Sequence, residues 1–90
     1  MNLGERETPA ATDSAKLHKT VSYGSNSLDV QAMQRYLSQL GYPCATDGMF
    51  GSESQAALRR FQQDYGVYAD GVCGPVTWTA LIGAAENLRK

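Results

Sequence analysis

Apolar residues recur with helical spacing in three stretches of the chain. Val30, Met33, Leu37 and Leu40 stand at i, i+3, i+7 and i+10, one stripe of an amphipathic helix that ends before Gly41. Ala57, Leu58, Phe61 and Tyr65 form the inward face of a second helix, which turns Arg59 and Arg60 to solvent and ends at Gly66. Trp78, Leu81 and Ile82 mark a third, with Pro75 as its first helical residue. Gly83 either ends that helix or is passed by it, since Ala84 to Lys90 are good helix formers. Ser25, Asn26 and Ser27 supply oxygens able to cap the first helix, and Asp29 sits favourably in its first turn. The second helix opens either with Ser52 and Gln55 as a capping box or with Gly51 as the cap.

Polar, glycine-punctuated turns precede the second and third helices, and they are copies of each other. Asp47-Gly-Met-Phe-Gly-Ser-Glu-Ser-Gln-Ala-Ala-Leu58 matches Asp70-Gly-Val-Cys-Gly-Pro-Val-Thr-Trp-Thr-Ala-Leu81 at Asp, Gly, Gly, Ala and Leu, with Ser54 opposite Thr77. The offset is 23 residues, from Asp47 to Asp70. Two copies of a turn and a helix start imply two similar units packed together, because neither buries its apolar face alone. The pattern therefore predicts an all-α fold, a small three-helix bundle with a pseudo-two-fold repeat of DG turn plus helix. Residues 1–20 hold hardly any large apolar side chain and read as a flexible tail or linker, residues 21–83 as the domain, and residues 84–90 as a C-terminal extension.

Composition narrows the function classes. Ninety residues at 42% apolar content suit one small core. A formal charge of −1 gives no field to draw the chain to nucleic acid or anionic lipid. No run approaches the ~18 apolar residues of a membrane span, and Met1 to Thr20 lacks the apolar stretch of a signal peptide. Two cysteines and one histidine are too few for a structural zinc site, so neither metal nor cofactor is expected. Cys44 precedes the first DG turn and Cys73 lies inside the second, so the pair is either a disulfide joining the two loops or two buried thiols.

Candidate chemistry is sparse. His18 falls in the tail with no nucleophile beside it, so catalysis by this chain is not expected. Asp47 and Asp70 are either a carboxylate pair of the kind glycoside cleavage needs or, as their place in repeated turns favours, acceptors for their own backbone. Phe50 and Trp78 either stack on sugar rings or fill the core. Gln34 and Gln62 follow the core residues Met33 and Phe61, at the edge of the apolar stripe, where an amide either meets a ligand or ties a loop down.

From Val21-Ser-Tyr-Gly-Ser-Asn-Ser-Leu-Asp-Val-Gln-Ala-Met-Gln-Arg-Tyr-Leu37 through Leu40-Gly-Tyr42, Asp47-Gly-Met-Phe-Gly51, Ala57-Leu-Arg-Arg-Phe-Gln62 and Asp70 to Leu81, the chain resembles a peptidoglycan-binding domain of the type 1 family. It departs at Met33, usually leucine there, and at Ser27, often glycine. The resemblance implies a three-helix module of the cell wall or extracellular space that holds peptidoglycan and targets an attached or partner hydrolase, such as an amidase, muramidase, transglycosylase or endolysin. Under it, Gln34, Asp47, Gln62, Asp70 and Trp78 are the candidate ligand contacts, in a shallow groove beside the turns. The competing expectation is a protein-interaction or assembly module on the same fold, its groove filled by a polypeptide.

Overall fold

The computed structural model describes residues 18–88. The flexible tail expected before the domain lies outside them, apart from His18 to Thr20. The chain adopts the expected all-α architecture: α1 (Leu28–Gln39), α2 (Ser52–Asp64) and α3 (Pro75–Leu88). Ser27 caps α1, its hydroxyl accepting from Val30 N at 3.2 Å. At α2 the cap is Gly51, with no side-chain bond, so the capping-box alternative does not form. Both α1 and α2 finish on a glycine, and the next residue folds back on the last turn, with Tyr42 N donating to Leu37 O at 2.8 Å and Val67 N to Gln62 O at 2.9 Å.

Helix α1 packs against both α2 and α3. Its stripe of Val30, Met33 and Leu37 meets Leu58 and Phe61 from α2 and Trp78, Leu81 and Ile82 from α3 in one buried cluster, to which Leu40 adds at the edge. Each such side chain withdrawn from water contributes about 1.5–3 kcal/mol. Tyr65 differs from the expected inward position: it is 48% exposed and stacks on Phe61 from outside, with ring centroids 4.5 Å apart.

The structure also decides two boundaries, the first by taking the longer of the two readings left open at Gly83. Helix α3 runs past Gly83 to Leu88, and Ala85 in that extension is buried. A mid-helix glycine costs about 1 kcal/mol relative to alanine, which the packing of Ala85 and the added turn offset. At the other end the packed unit starts before Val21: Trp78 Nε1 donates to Lys19 O at 3.0 Å, and the His18 ring stacks on the indole at 4.1 Å.

Residues 21–27 form a strap that holds both DG turns. Val21 exchanges two backbone bonds with Cys73, at 3.2 and 2.9 Å. A few residues on, Gly24 N donates to Phe50 O and Phe50 N to Ser25 O, each at 2.9 Å, and Ser27 N donates to Gly48 O at 3.0 Å. Phe50 and Cys73 occupy equivalent places in the repeat and are both buried. One short segment, folded into a turn of its own where Ser25 N donates to Ser22 O at 2.8 Å, thus fixes both DG turns against a shared core.

Candidate functional site

Each DG turn is built around a glutamine from the preceding helix. Gln34 of α1 donates from Nε2 to Met49 O (3.0 Å), Ser54 Oγ (2.9 Å) and Asp47 Oδ1 (3.3 Å), and its Oε1 accepts from Gly48 N at 2.9 Å. Gln62 of α2 repeats this on Val72 O (3.0 Å), Thr77 Oγ1 (3.1 Å), Asp70 Oδ1 (3.2 Å) and Gly71 N (3.0 Å). The amide orientation follows from the partners, since only the NH₂ end can face a carbonyl and a carboxylate while the oxygen faces an N–H. Two hydrogens serve three acceptors, so the longest bond, to the aspartate, is the shared one. Gly48 and Gly71 have φ of +79° and +74°, which turns their N–H groups to the amide oxygen and suits glycine.

The aspartates complete the turns. Asp47 Oδ1 accepts from Met49 N at 3.0 Å and Asp70 Oδ1 from Val72 N at 2.9 Å. This is the local backbone bonding that their place in the repeat favoured. The Met49 N–H, and after it the Gln34 amide, hold the Asp47 carboxyl below its ordinary value. In both residues the second oxygen, Oδ2, takes no hydrogen bond from the described residues. Each turn therefore presents one fixed carboxylate acceptor to solvent.

Beside each turn lies an open groove. The first, of about 480 Å³, is walled by Tyr23 and Asn26 of the strap and by Asp47, Met49, Ser52 and Glu53. The second, of about 280 Å³, is walled by Tyr68, Asp70, Val72, Pro75 and Val76. Seven lining positions recur in the same register, among them Ala45 with Tyr68, Asp47 with Asp70, Met49 with Val72, Ser52 with Pro75 and Glu53 with Val76.

Of the five candidate contacts, Asp47 and Asp70 stand at these grooves, whereas Gln34, Gln62 and Trp78 are buried. Trp78 has no free face: His18 stacks on it, Tyr36 meets it edge-on with centroids 6.5 Å apart, and its N–H is taken by Lys19 O. Phe50 is core as well. In this structure these side chains are taken up by the turns and the core. His18 is itself held, its Nδ1 lying 2.9 Å from Asp29 Oδ1. The cysteines are free thiols, Cys73 buried and Cys44 partly so. Burial pushes both thiols up, aided at Cys44 by Glu53 and at Cys73 by Asp70. Sequence reasoning missed Tyr23 and Tyr68, which are 62% and 84% exposed beside the turns. The signal available for Tyr68 was its alignment with Ala45, an aromatic gained at the rim of one repeat only.

The family model described as "Putative peptidoglycan binding domain" matches residues 26–81, a span holding both turns and both glutamines. The chain belongs to this family. Among relatives of this peptidoglycan-binding domain, the zinc D-Ala-D-Ala carboxypeptidase of Streptomyces albus G is 40% identical over 67 residues, covering 69% of this chain and 26% of that protein. Among solved structures, a peptidoglycan-binding protein from Clostridioides difficile, in complex with glutamine hydroxamate, matches with a TM-score of 0.73 at 39% identity, over 74% of this chain and 42% of that one. The SleB N-terminal domain matches with a TM-score of 0.72 at 33% identity, over 76% of this chain and 94% of that one. The chain spans between 13% and 30% of the length of the protein relatives it matches.

Proposed function

We propose that this chain binds bacterial peptidoglycan without cleaving it and so brings a cell-wall hydrolase, fused or separate, to its substrate outside the cell. The observation that carries this reading is the family match over residues 26–81, which takes in both grooved turns. It is supported by the short span shared with relatives named as wall-cleaving enzymes, 26% of the carboxypeptidase and 13% of an N-acetylmuramoyl-L-alanine amidase of Mycobacterium tuberculosis. In this reading Asp47 and Asp70 accept hydrogen bonds from hydroxyl or amide groups of the polymer. Gln34 and Gln62 set the position of those carboxylates, and Trp78 holds α3 in place behind them. His18, paired with Asp29 and stacked on Trp78, is not free to act as a general base.

The grooves are open and shallow, so one site should bind in the micromolar range or weaker, about −8 kcal/mol at most, and gain by avidity along a polymer. Sedimentation with purified insoluble peptidoglycan tests the reading, with reducing ends and free amines assayed in the supernatant. Co-sedimentation with no release is expected. A chain left in the supernatant, or one that releases either product, would overturn it.

A further inference from the structure

The duplication sets two grooves on equivalent backbone and gives them different walls. Where the first has Ala45, Ser52 and Glu53, the second has Tyr68, Pro75 and Val76. The larger first groove thus has a smaller, more apolar counterpart. Tyr68 and Val76 are 84% and 70% exposed, so core packing does not account for either. The Tyr68 backbone is nevertheless held on both sides, because Val67 N is bonded to Gln62 O at 2.9 Å and Asp70 N to Tyr68 O at 3.0 Å. The ring is carried on an ordered segment, two residues from a carboxylate whose position Gln62 and Val72 N fix.

These features select a ligand class. An exposed aromatic ring sharing one groove with Val72, Pro75 and Val76 offers dispersion contact to a flat face of C–H bonds. The free Asp70 oxygen requires an O–H or N–H donor at the edge of that face, and repels an anion. Among the described residues no lysine or arginine lines the groove to receive a carboxylate or phosphate. A pyranose ring bearing hydroxyl and acetamido groups meets all of these conditions.

We propose that the groove at the second turn is a sugar subsite, in which an N-acetylated pyranose lies on Tyr68 and donates a hydrogen bond to Asp70 Oδ2. The proposal rests on the wall-binding reading for the identity of the polymer, and it separates the glycan contact at the second turn from whatever the polar first groove holds. Tyr68 is the platform and Asp70 the acceptor that orients the ring.

The experiment is a titration of the isotope-labelled 90-residue chain with the β-1,4-linked tetramer of N-acetylglucosamine, followed by amide shifts. A stem peptide free of sugar is the second probe, and sedimentation with insoluble peptidoglycan and with chitin the second readout. Tetramer shifts should centre on residues 68–76, Tyr68→Ala should weaken them about tenfold, and Tyr68→Trp should retain them. Because the side chain is exposed, both variants should keep the wild-type melting temperature. Comparable pelleting with chitin and with wall material would support recognition of the shared sugar, whereas pelleting with wall material alone would add a wall-specific contact elsewhere to the same subsite. Tetramer shifts confined to the first groove, or shifts at residues 68–76 with the stem peptide and not the tetramer, would overturn the subsite. Sedimentation with peptidoglycan that is unaffected by Tyr68→Ala, without tetramer shifts, would remove the subsite and leave wall binding. Tyr68-dependent tetramer shifts without wall sedimentation would do the reverse.

Discussion

A glutamine amide carries donors and an acceptor on one rigid plane, which is what a turn with an inward N–H, an inward carbonyl and a carboxylate needs from a neighbouring helix. Gln34 and Gln62 each answer all three, and each also reaches the hydroxyl of the following helix, Ser54 or Thr77. Methionine in the same place would fill the volume and satisfy none of them. Gln62→Met should therefore destabilise the domain by about 2–4 kcal/mol, because Gly71 N and Val72 O lose their partner in a buried setting. Chemical denaturation checks this, and a midpoint equal to wild type would show that the turn does not depend on the amide. Asp47 adds a pH dependence. Its folded pKa is depressed by the Met49 N–H and then by the Gln34 amide, so its contribution is present above the unfolded value, near 3.8, and is lost as pH falls through the lower folded value. Denaturation midpoints should drop below about pH 3.8, and Asp47→Asn should flatten part of that drop.

At the scale of elements, α2 serves both halves of the repeat. Its first turn supplies Ser54 to the Gln34 network, and its far end supplies Gln62 to the second turn. The helix-to-turn connection is shorter in the second copy, since 28 residues separate the two glutamines but 23 the two aspartates. That difference shows in the glycines. An added Cβ at Gly48 would lie 3.2 Å from the backbone oxygen of Ser27, whose own N–H is bonded to Gly48 O; at Gly71 it would meet only side-chain atoms of Arg59 and Gln55, at 3.1 Å. Both carry the about 1–2 kcal/mol penalty of positive φ. Gly48→Ala should cost more than Gly71→Ala, because the strap cannot move aside as a surface arginine can, and thermal melts of the two variants compare them directly. The helices themselves were legible from apolar spacing, and the turns from their repetition. The end of α3 was left open at Gly83, because a glycine signals a stop locally while the burial of Ala85 is decided by tertiary packing. The role of the glutamines was half legible: their place at the stripe's edge was plain, but period alone does not say whether an edge residue turns in or out.

Across the whole molecule, the strap is the feature that pattern reading does not reach. Residues 21–27 have no period, and their bonds run to partners as far apart as Phe50 and Cys73. His18 was hidden for the same reason, since its stacking on Trp78 spans most of the domain. The candidate site was legible in its two aspartates and not in its exposed tyrosines, because burial decides which aromatic is free to meet a ligand. Charge, by contrast, reads directly from sequence, and it bears on how the molecule meets a polymer. With a net charge of −1 and, among the described residues, no lysine or arginine lining either groove, polymer binding has no large Coulomb attraction to lose. Raising ionic strength from about 0.1 M to about 1 M shortens the screening length from about 10 Å to about 3 Å, which would strip a contact carried by surface cations. The proposed hydrogen bonds to Asp47 and Asp70, and apolar contact with an exposed tyrosine such as Tyr68, are short-ranged and should persist under that change. The bound fraction in wall sedimentation should therefore stay within about twofold over this range of salt. A collapse of binding would shift recognition to cations outside the grooves, such as Arg59 and Arg60 on the open face of α2.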